Sequence, residues 1–145
     1  MHVAEILKTK GNKVVTVRPD LGIEHLAQRL KLEGIGAAVV SASGTTVDGI
    51  ISERDIVRAL ADYGAAGLAE KTAADLMTRA VVTCTPDDTI SHVSKVMTRR
   101  RIRHLPVVDD GRLAGIVSIG DVVRHRLDEL ELETNVLRDY AVSRH

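Results

Sequence analysis

"GIISERDIVRAL", running from Gly49 to Leu60, is written again with small changes as "GIVSIGDVVRHRL", from Gly115 to Leu127. Each copy starts at a glycine, passes through a β-branched run, meets a Ser-x-x-Asp phrase and continues with apolar residues at helical spacing. A strand turning into a helix is therefore expected twice, with the helices starting near Ser52 and Ser118. A phrase repeated at this distance implies a chain built from two copies of one unit, and the flanks must match if that is so.

They do match, and in order. "AEIL" (Ala4 to Leu7) resembles "ADLM" (Ala74 to Met77), and "VVTVRPD" (Val14 to Asp20) resembles "VVTCTPD" (Val81 to Asp87). "IEHLAQRL" from Ile23 answers "ISHVSKVM" from Ile90, and "IGAAVV" from Ile35 answers "IRHLPVV" from Ile102. Each unit reads as a short strand ending at Pro19 or Pro86, a helix, two strands and a second helix. In the second unit the two strands, "LPVVD" and "RLAGIVS", are joined at Asp110-Gly111, a strong hairpin signal; the first unit has the looser "SASGTT" there. A unit of this length buries too little surface to stand alone, so the copies are expected to pack sheet against sheet as one α+β globule. The boundaries read as 1–66 for the first motif with its N-terminal segment, 67–127 for the second, and 128–145 for a C-terminal helical extension. "ADYGAAGLAEK" (Ala61 to Lys71) links the motifs as a helix end, a glycine break and a short turn. Beyond Asp121 an imperfect apolar stripe of Val122, Leu127, Leu130, Val136, Leu137 and Tyr140 marks a long helix that either closes its own core or contacts a second copy.

Composition narrows the function. The 145 residues carry formal net charge zero and two aromatics, Tyr63 and Tyr140. There is thus no long-range field for a polyanion and little to stack on bases, which weighs against nucleic acid. No window has the length of apolar sequence that spans a bilayer, and the opening residues lack a signal-peptide core, so a soluble cytoplasmic protein is expected. Cys84, the single cysteine, reads as a small strand residue.

Ser52-x-x-Asp55 and Ser118-x-x-Asp121 fit two descriptions. One is a capping box, in which serine and acid satisfy free amides of the first helical turn. The other is a ligand grip, since a carboxylate at a strand-to-helix turn accepts hydrogen bonds from a vicinal diol while helix amides favour phosphate. Asp is shorter than the Glu or Gln that best closes a capping box, and the phrase is rebuilt in both halves behind Gly49 and Gly115; both points favour the ligand.

In this order the residues resemble the cystathionine-beta-synthase (CBS) domain family, whose motifs occur in pairs. The resemblance spans roughly Val3 to Leu127 and rests on "VVTVRPD"/"VVTCTPD", "RHLPVVDDGRLAGIVS" and the two Gly-x-x-Ser-x-x-Asp phrases. It implies a regulatory, non-catalytic module that binds adenosine-containing nucleotides, AMP, ADP, ATP or NAD(H), in clefts between the motifs. It also implies a homodimer and a separate, unidentified effector protein, with no catalytic cofactor. Asp55 and Asp121 would hold ribose hydroxyls, with Ser52 and Ser118 near ribose or phosphate. Each cleft would combine one motif's aspartate with the other motif's strands: Asp55 with Val81, Val82, Thr85, Ile102 and Arg103, and Asp121 with Val14, Val15, Arg18, Ile35 and Gly36. Arg101, Arg103 and His104 in the second motif stand opposite Gly34, Gly36 and Ala37 in the first, so the clefts should differ in phosphate affinity. Arg54 adds charge beside Asp55, where the second phrase has Gly120.

Other features read more plainly. Arg99, Arg100 and Arg101 fall at a helix end, where cations complement the dipole, although the cluster through Arg103 is the one feature that suits nucleic-acid phosphates. "GIGAAV" at Gly34 lacks the third glycine of a dinucleotide fingerprint and precedes a strand. His25 and His92 have no partner at metal-ligand spacing. A constitutive scaffold in which both Ser-x-x-Asp phrases are only caps is the remaining alternative.

Overall fold

A computed structural model describes residues 1–143; the last two residues of the expected extension, 144 and 145, lie outside the described residues. The first half runs α1 (Val3–Lys10), β1 (Thr16–Val17), α2 (Ile23–Glu33), β2 (Ala37–Val40), β3 (Gly49–Ser52) and α3 (Glu53–Ala69). The second runs α4 (Ala73–Leu76), α5 (Ile90–Arg100), β4 (His104–Asp109), β5 (Arg112–Ser118) and α6 (Ile119–Ser143). β2 pairs parallel with β1 and antiparallel with β3, and β4 pairs antiparallel with β5. The first strand expected in the second half is reduced to a parallel bridge between Cys84 and Val107, held by Cys84 N–H to Pro106 O (3.0 Å) and Val108 N–H to Cys84 O (2.8 Å). Cys84 is buried there, and burial raises its thiol pKa to about 12, which suits a structural residue.

Local sequence sets the joints. Asp110 (φ 52°) and Gly111 (φ 78°) form the two-residue turn of the β4–β5 hairpin, the left-handed pair that matches strand twist. α2 ends on Gly34 and α5 on Arg101, both left-handed (φ 65° and 54°). The expected break at Ala61 to Lys71 is a single residue, Gly64 (φ 71°), across which helix continues to Ala69.

The short helices α1 and α4 cross over. Val3 and Ala4 donate backbone hydrogen bonds to Asp88 O and Pro86 O of the second half (2.9 and 3.0 Å). Ala73 and Ala74 donate to Leu21 O and Pro19 O of the first half (both 2.9 Å). Consequently Val3, Ile6 and Leu7 join the core of Ile90, Val93, Met97, Leu105 and Val117. Ala73, Leu76 and Met77 join the core of Val17, Ile23, Leu26, Val40 and Ile51. An isolated helix as short as α1 is unstable in water, whereas each buried aliphatic side chain contributes roughly 1.5–3 kcal/mol, so docking on the other half is what holds it.

α6 is buried only near its start, at Val122 and His125. Leu130, Leu132, Val136, Leu137 and Val142 are exposed, so this stretch does not close on the chain's own core. No described helix is long and apolar enough to cross a membrane.

Candidate functional site

Both Ser-x-x-Asp phrases are helix caps. Asp55 Oδ2 accepts the Ser52 amide (2.8 Å) and hydroxyl (3.1 Å), and Asp121 Oδ2 accepts the Ser118 amide (2.9 Å) while the Asp121 amide donates to Ser118 Oγ (3.2 Å). Thr72 and Asp75 at the start of α4 repeat the arrangement of the first phrase, amide 2.9 Å and hydroxyl 3.1 Å. The short acid is therefore an ordinary cap in this chain and does not by itself mark a ligand. What separates the three is position.

Asp55 faces a cleft of about 260 Å³ between the halves, near the small end of ligand-site volumes. β3 and the first two turns of α3 supply Ser52, Arg54, Asp55 and Arg58; the chain after α4 supplies Thr78, Ala80, Val81 and Val82; the turn after α5 and the start of β4 supply Arg101, Ile102, Arg103 and His104. Asp55 uses Oδ2 for its cap, and Oδ1 accepts no hydrogen bond among the described residues. Nor do Arg54, Arg58, Arg101 and Arg103 make any side-chain hydrogen bond or ion pair among the described residues, which leaves four guanidinium groups around one opening. Arg101 holds a left-handed backbone at the position where the first motif has Gly34. A non-glycine residue there costs about 1–2 kcal/mol, a cost that a role for its side chain would offset.

A second cleft, of about 640 Å³, lies on the other side of Glu53 and His104. Val14, Val15, Ile35, Gly36 and Ser118 line it as the doubled pattern requires, together with Lys10, Lys13 and Glu33. Its two lysines are both paired. Lys13 Nζ is 3.3 Å from Glu33, holding that carboxyl below its ordinary range, and Lys10 Nζ is 2.7 Å from Asp121 Oδ2. Burial pushes the Asp121 carboxyl up, but hydrogen bonds from Lys10 and the Ser118 amide outweigh it and hold the pKa below the usual value.

Glu53, His104, Arg103, Gly36 and Ala37 form the wall shared by the two clefts. Glu53 Oε1 would stand 2.6 Å from a Cβ at Gly36, so only glycine leaves it that place. Burial lowers the His104 pKa, and the charges of Lys10 and Arg103 act the same way against Glu53 and Asp121.

Three residues named from the doubled pattern fall outside the clefts. Arg18 turns to Asp20 (3.5 Å) and Ala42 O (3.4 Å), because the chain bends at Pro19 and carries its side chain into solvent. Thr85 is exposed, its amide taken by Asp88 in the turn before α5 (2.8 Å). Asp121 does not line its cleft, because Lys10 covers it. Conversely, Arg58, Thr78 and Ala80 belong to the first cleft without having been anticipated. Arg58 had a signal, since it follows Arg54 by one helical turn and so shares its face. Arg99 and Arg100 stay exposed at the end of α5, so the basic cluster divides between solvent and the cleft. No group of three or more His, Cys, Asp or Glu among the described residues is placed to hold a metal ion.

The CBS domain model matches residues 3–62 and 73–128. The chain belongs to the CBS domain family. The fold agrees with solved members: a CBS-domain-containing protein of Agrobacterium tumefaciens is 46% identical with a TM-score of 0.82, over 86% of this chain and 92% of that one. The CBS domain pair of protein MJ0100, solved in complex with 5′-methylthioadenosine and S-adenosyl-L-methionine, is 30% identical with a TM-score of 0.77, over 89% of this chain and 98% of that one. A mitochondrial CBS domain-containing protein of Arabidopsis thaliana is 32% identical, over 95% of this chain and 70% of its own length.

Proposed function

We propose that the CBS pair formed by motifs at 1–66 and 67–127 is a regulatory module that binds one adenosine-containing nucleotide in the first cleft and signals to a separate partner. The ribose diol donates to the open oxygen of Asp55, the base lies against Val81, Val82 and Ile102, and the phosphates meet Arg54, Arg58, Arg101 and Arg103. The observation that carries this reading is the convergence on one cleft of a half-engaged carboxylate, an apolar wall and four guanidinium groups, from both motifs, that are unpaired among the described residues. The adenosine ligands of protein MJ0100 support the ligand class. The arginines favour phosphate-bearing AMP, ADP, ATP or NAD(H) over a cationic sulfonium, because like charges repel in a partly desolvated site.

Signalling requires that the nucleotide bind one arrangement of the module better than another. α3 and α6 supply a surface for it: Val57 and Leu60 on one, Val123, Leu127 and Leu130 on the other, all exposed. A second copy covers that surface in this reading, and solution scattering should return the mass of a dimer at micromolar concentration. The ligand reading is tested by a thermal-shift panel of AMP, ADP, ATP, NAD(H) and S-adenosyl-L-methionine. Stabilisation by phosphate-bearing members and not by the sulfonium is expected; no shift with any of them leaves a ligand-free scaffold.

A further inference from the structure

The two Ser-x-x-Asp phrases are nearly superimposable in sequence, yet only one aspartate faces its cleft. We infer that Lys10 is a built-in occupant of the second cleft that takes the place of a ligand on Asp121, so the chain binds one nucleotide, not two. The inference rests on the nucleotide reading of the first cleft.

Lys10 Nζ makes two bonds at once, to Asp121 Oδ2 (2.7 Å) and to Ile116 O (3.0 Å). The side chains are 31% and 13% exposed, so the ammonium shields the acid from the cleft that Lys10 itself lines. Lys10 shares Oδ2 with the Ser118 amide and leaves Oδ1 without a hydrogen bond among the described residues, so what separates Asp121 from Asp55 is the ammonium that covers it and neutralises its charge, not competition for one oxygen.

The asymmetry comes from chain length. Leu7 matches Met77 in the repeat, and on that register Lys10 corresponds to Ala80, which lines the first cleft and leaves Asp55 open. α1 is eight residues long where α4 is four, and its extra turn carries Lys10 to Asp121 across the junction of the halves. Between that helix and Val14 the first copy holds Gly11, Asn12 and Lys13, while the second passes directly from Ala80 to Val81. The longer helix is thus an element of the first half with no full counterpart in the second, and its last residue is the blocking one.

Calorimetric titration of the full chain with ATP and with AMP tests this. The wild type should bind at one per chain. Lys10→Met should open a second site and bring the stoichiometry to two, Lys10→Arg should keep it at one, and Lys10→Met with Asp121→Asn should return it to one. Lys10→Gln, neutral and still able to donate to Ile116 O, serves if the methionine variant does not fold. Two sites in the wild type, or one site in both neutral variants, overturns the role of Lys10 while leaving the first cleft intact. No binding to any of the proteins overturns the reading of the first cleft together with this one.

Discussion

Leu7 of the first half lies against Gly115 of the second, its Cδ2 2.6 Å from where a Cβ on that glycine would stand. Met77 of the second half meets Gly49 of the first in the same way. The glycines that open the two repeated phrases are therefore docking points for the crossed helices, and this exchange fastens one motif to the other.

Gly115→Ala should accordingly destabilise the chain by roughly 1–3 kcal/mol, the usual cost of overfilling a packed contact. Gly49→Ala should do the same, whereas Gly44→Ala, in an open loop, lacks the clash and carries only the cost of its φ of 83°. Urea midpoints of the three variants make the comparison.

The cap and ligand roles of Asp55 can be separated. Asp55→Ala and Asp75→Ala each remove the acceptor of one N-cap amide and one hydroxyl, so each should cost about 0.5–2 kcal/mol. Asp75 lines neither cleft. Its variant should therefore lose stability and keep the thermal shift given by nucleotide, while the Asp55 variant loses both.

Arg101→Gly should move stability and affinity in opposite directions. Relief of the left-handed backbone favours the variant by about 1 kcal/mol. Loss of one charged hydrogen bond to phosphate, about 1.5–3 kcal/mol, should weaken ATP binding roughly 10- to 100-fold. Denaturation and calorimetry on the same preparation give both quantities.

Acid should act through Asp121. Its folded pKa lies below the ordinary 3.8, so the unfolded chain takes up the proton first as pH falls. The resulting stability is present above about pH 4 and is lost as the pH drops through the folded value. Urea midpoints at pH 7 and pH 3 should differ less in Lys10→Met than in the wild type, because the bond that lowers the pKa is gone.

His104 reports on the shared wall. Its ring should titrate below 6.5 in the free protein, since burial and neighbouring cations oppose protonation. A bound phosphate nearby adds negative charge and should raise that midpoint. Histidine proton shifts followed by NMR with and without ATP check the direction.

Much of this is legible in the sequence. The doubled phrases gave the helix, strand, strand, helix order of each half, Asp110-Gly111 gave the hairpin, and the Ala61 to Lys71 stretch gave a glycine break, because each is a local matter of side-chain period or backbone freedom. The expected first strand of the second half is only the Cys84–Val107 bridge, and helices α1 and α4 carry no such signal. The first cleft was legible wherever the repeat pairs residues: Val81, Val82, Ile102 and Arg103 do meet Asp55 across the halves. What escaped is non-local. The crossing of α1 and α4 depends on which core each short helix enters, and the pairing of Lys10 with Asp121 spans 111 positions, with nothing in either neighbourhood to announce it. Arg18 and Thr85 went astray because the repeat fixes backbone position, whereas Asp20 and Asp88 decide how those residues are held.

The most direct test of the first cleft is calorimetric titration of AMP, ATP and NAD(H) into the wild type and into Asp55→Ala, with Asp75→Ala as the control for folding. A saturating heat in the wild type and the control that is lost in Asp55→Ala is the predicted result. Titration curves that do not differ between Asp55→Ala and the wild type, for every one of these nucleotides, would contradict it.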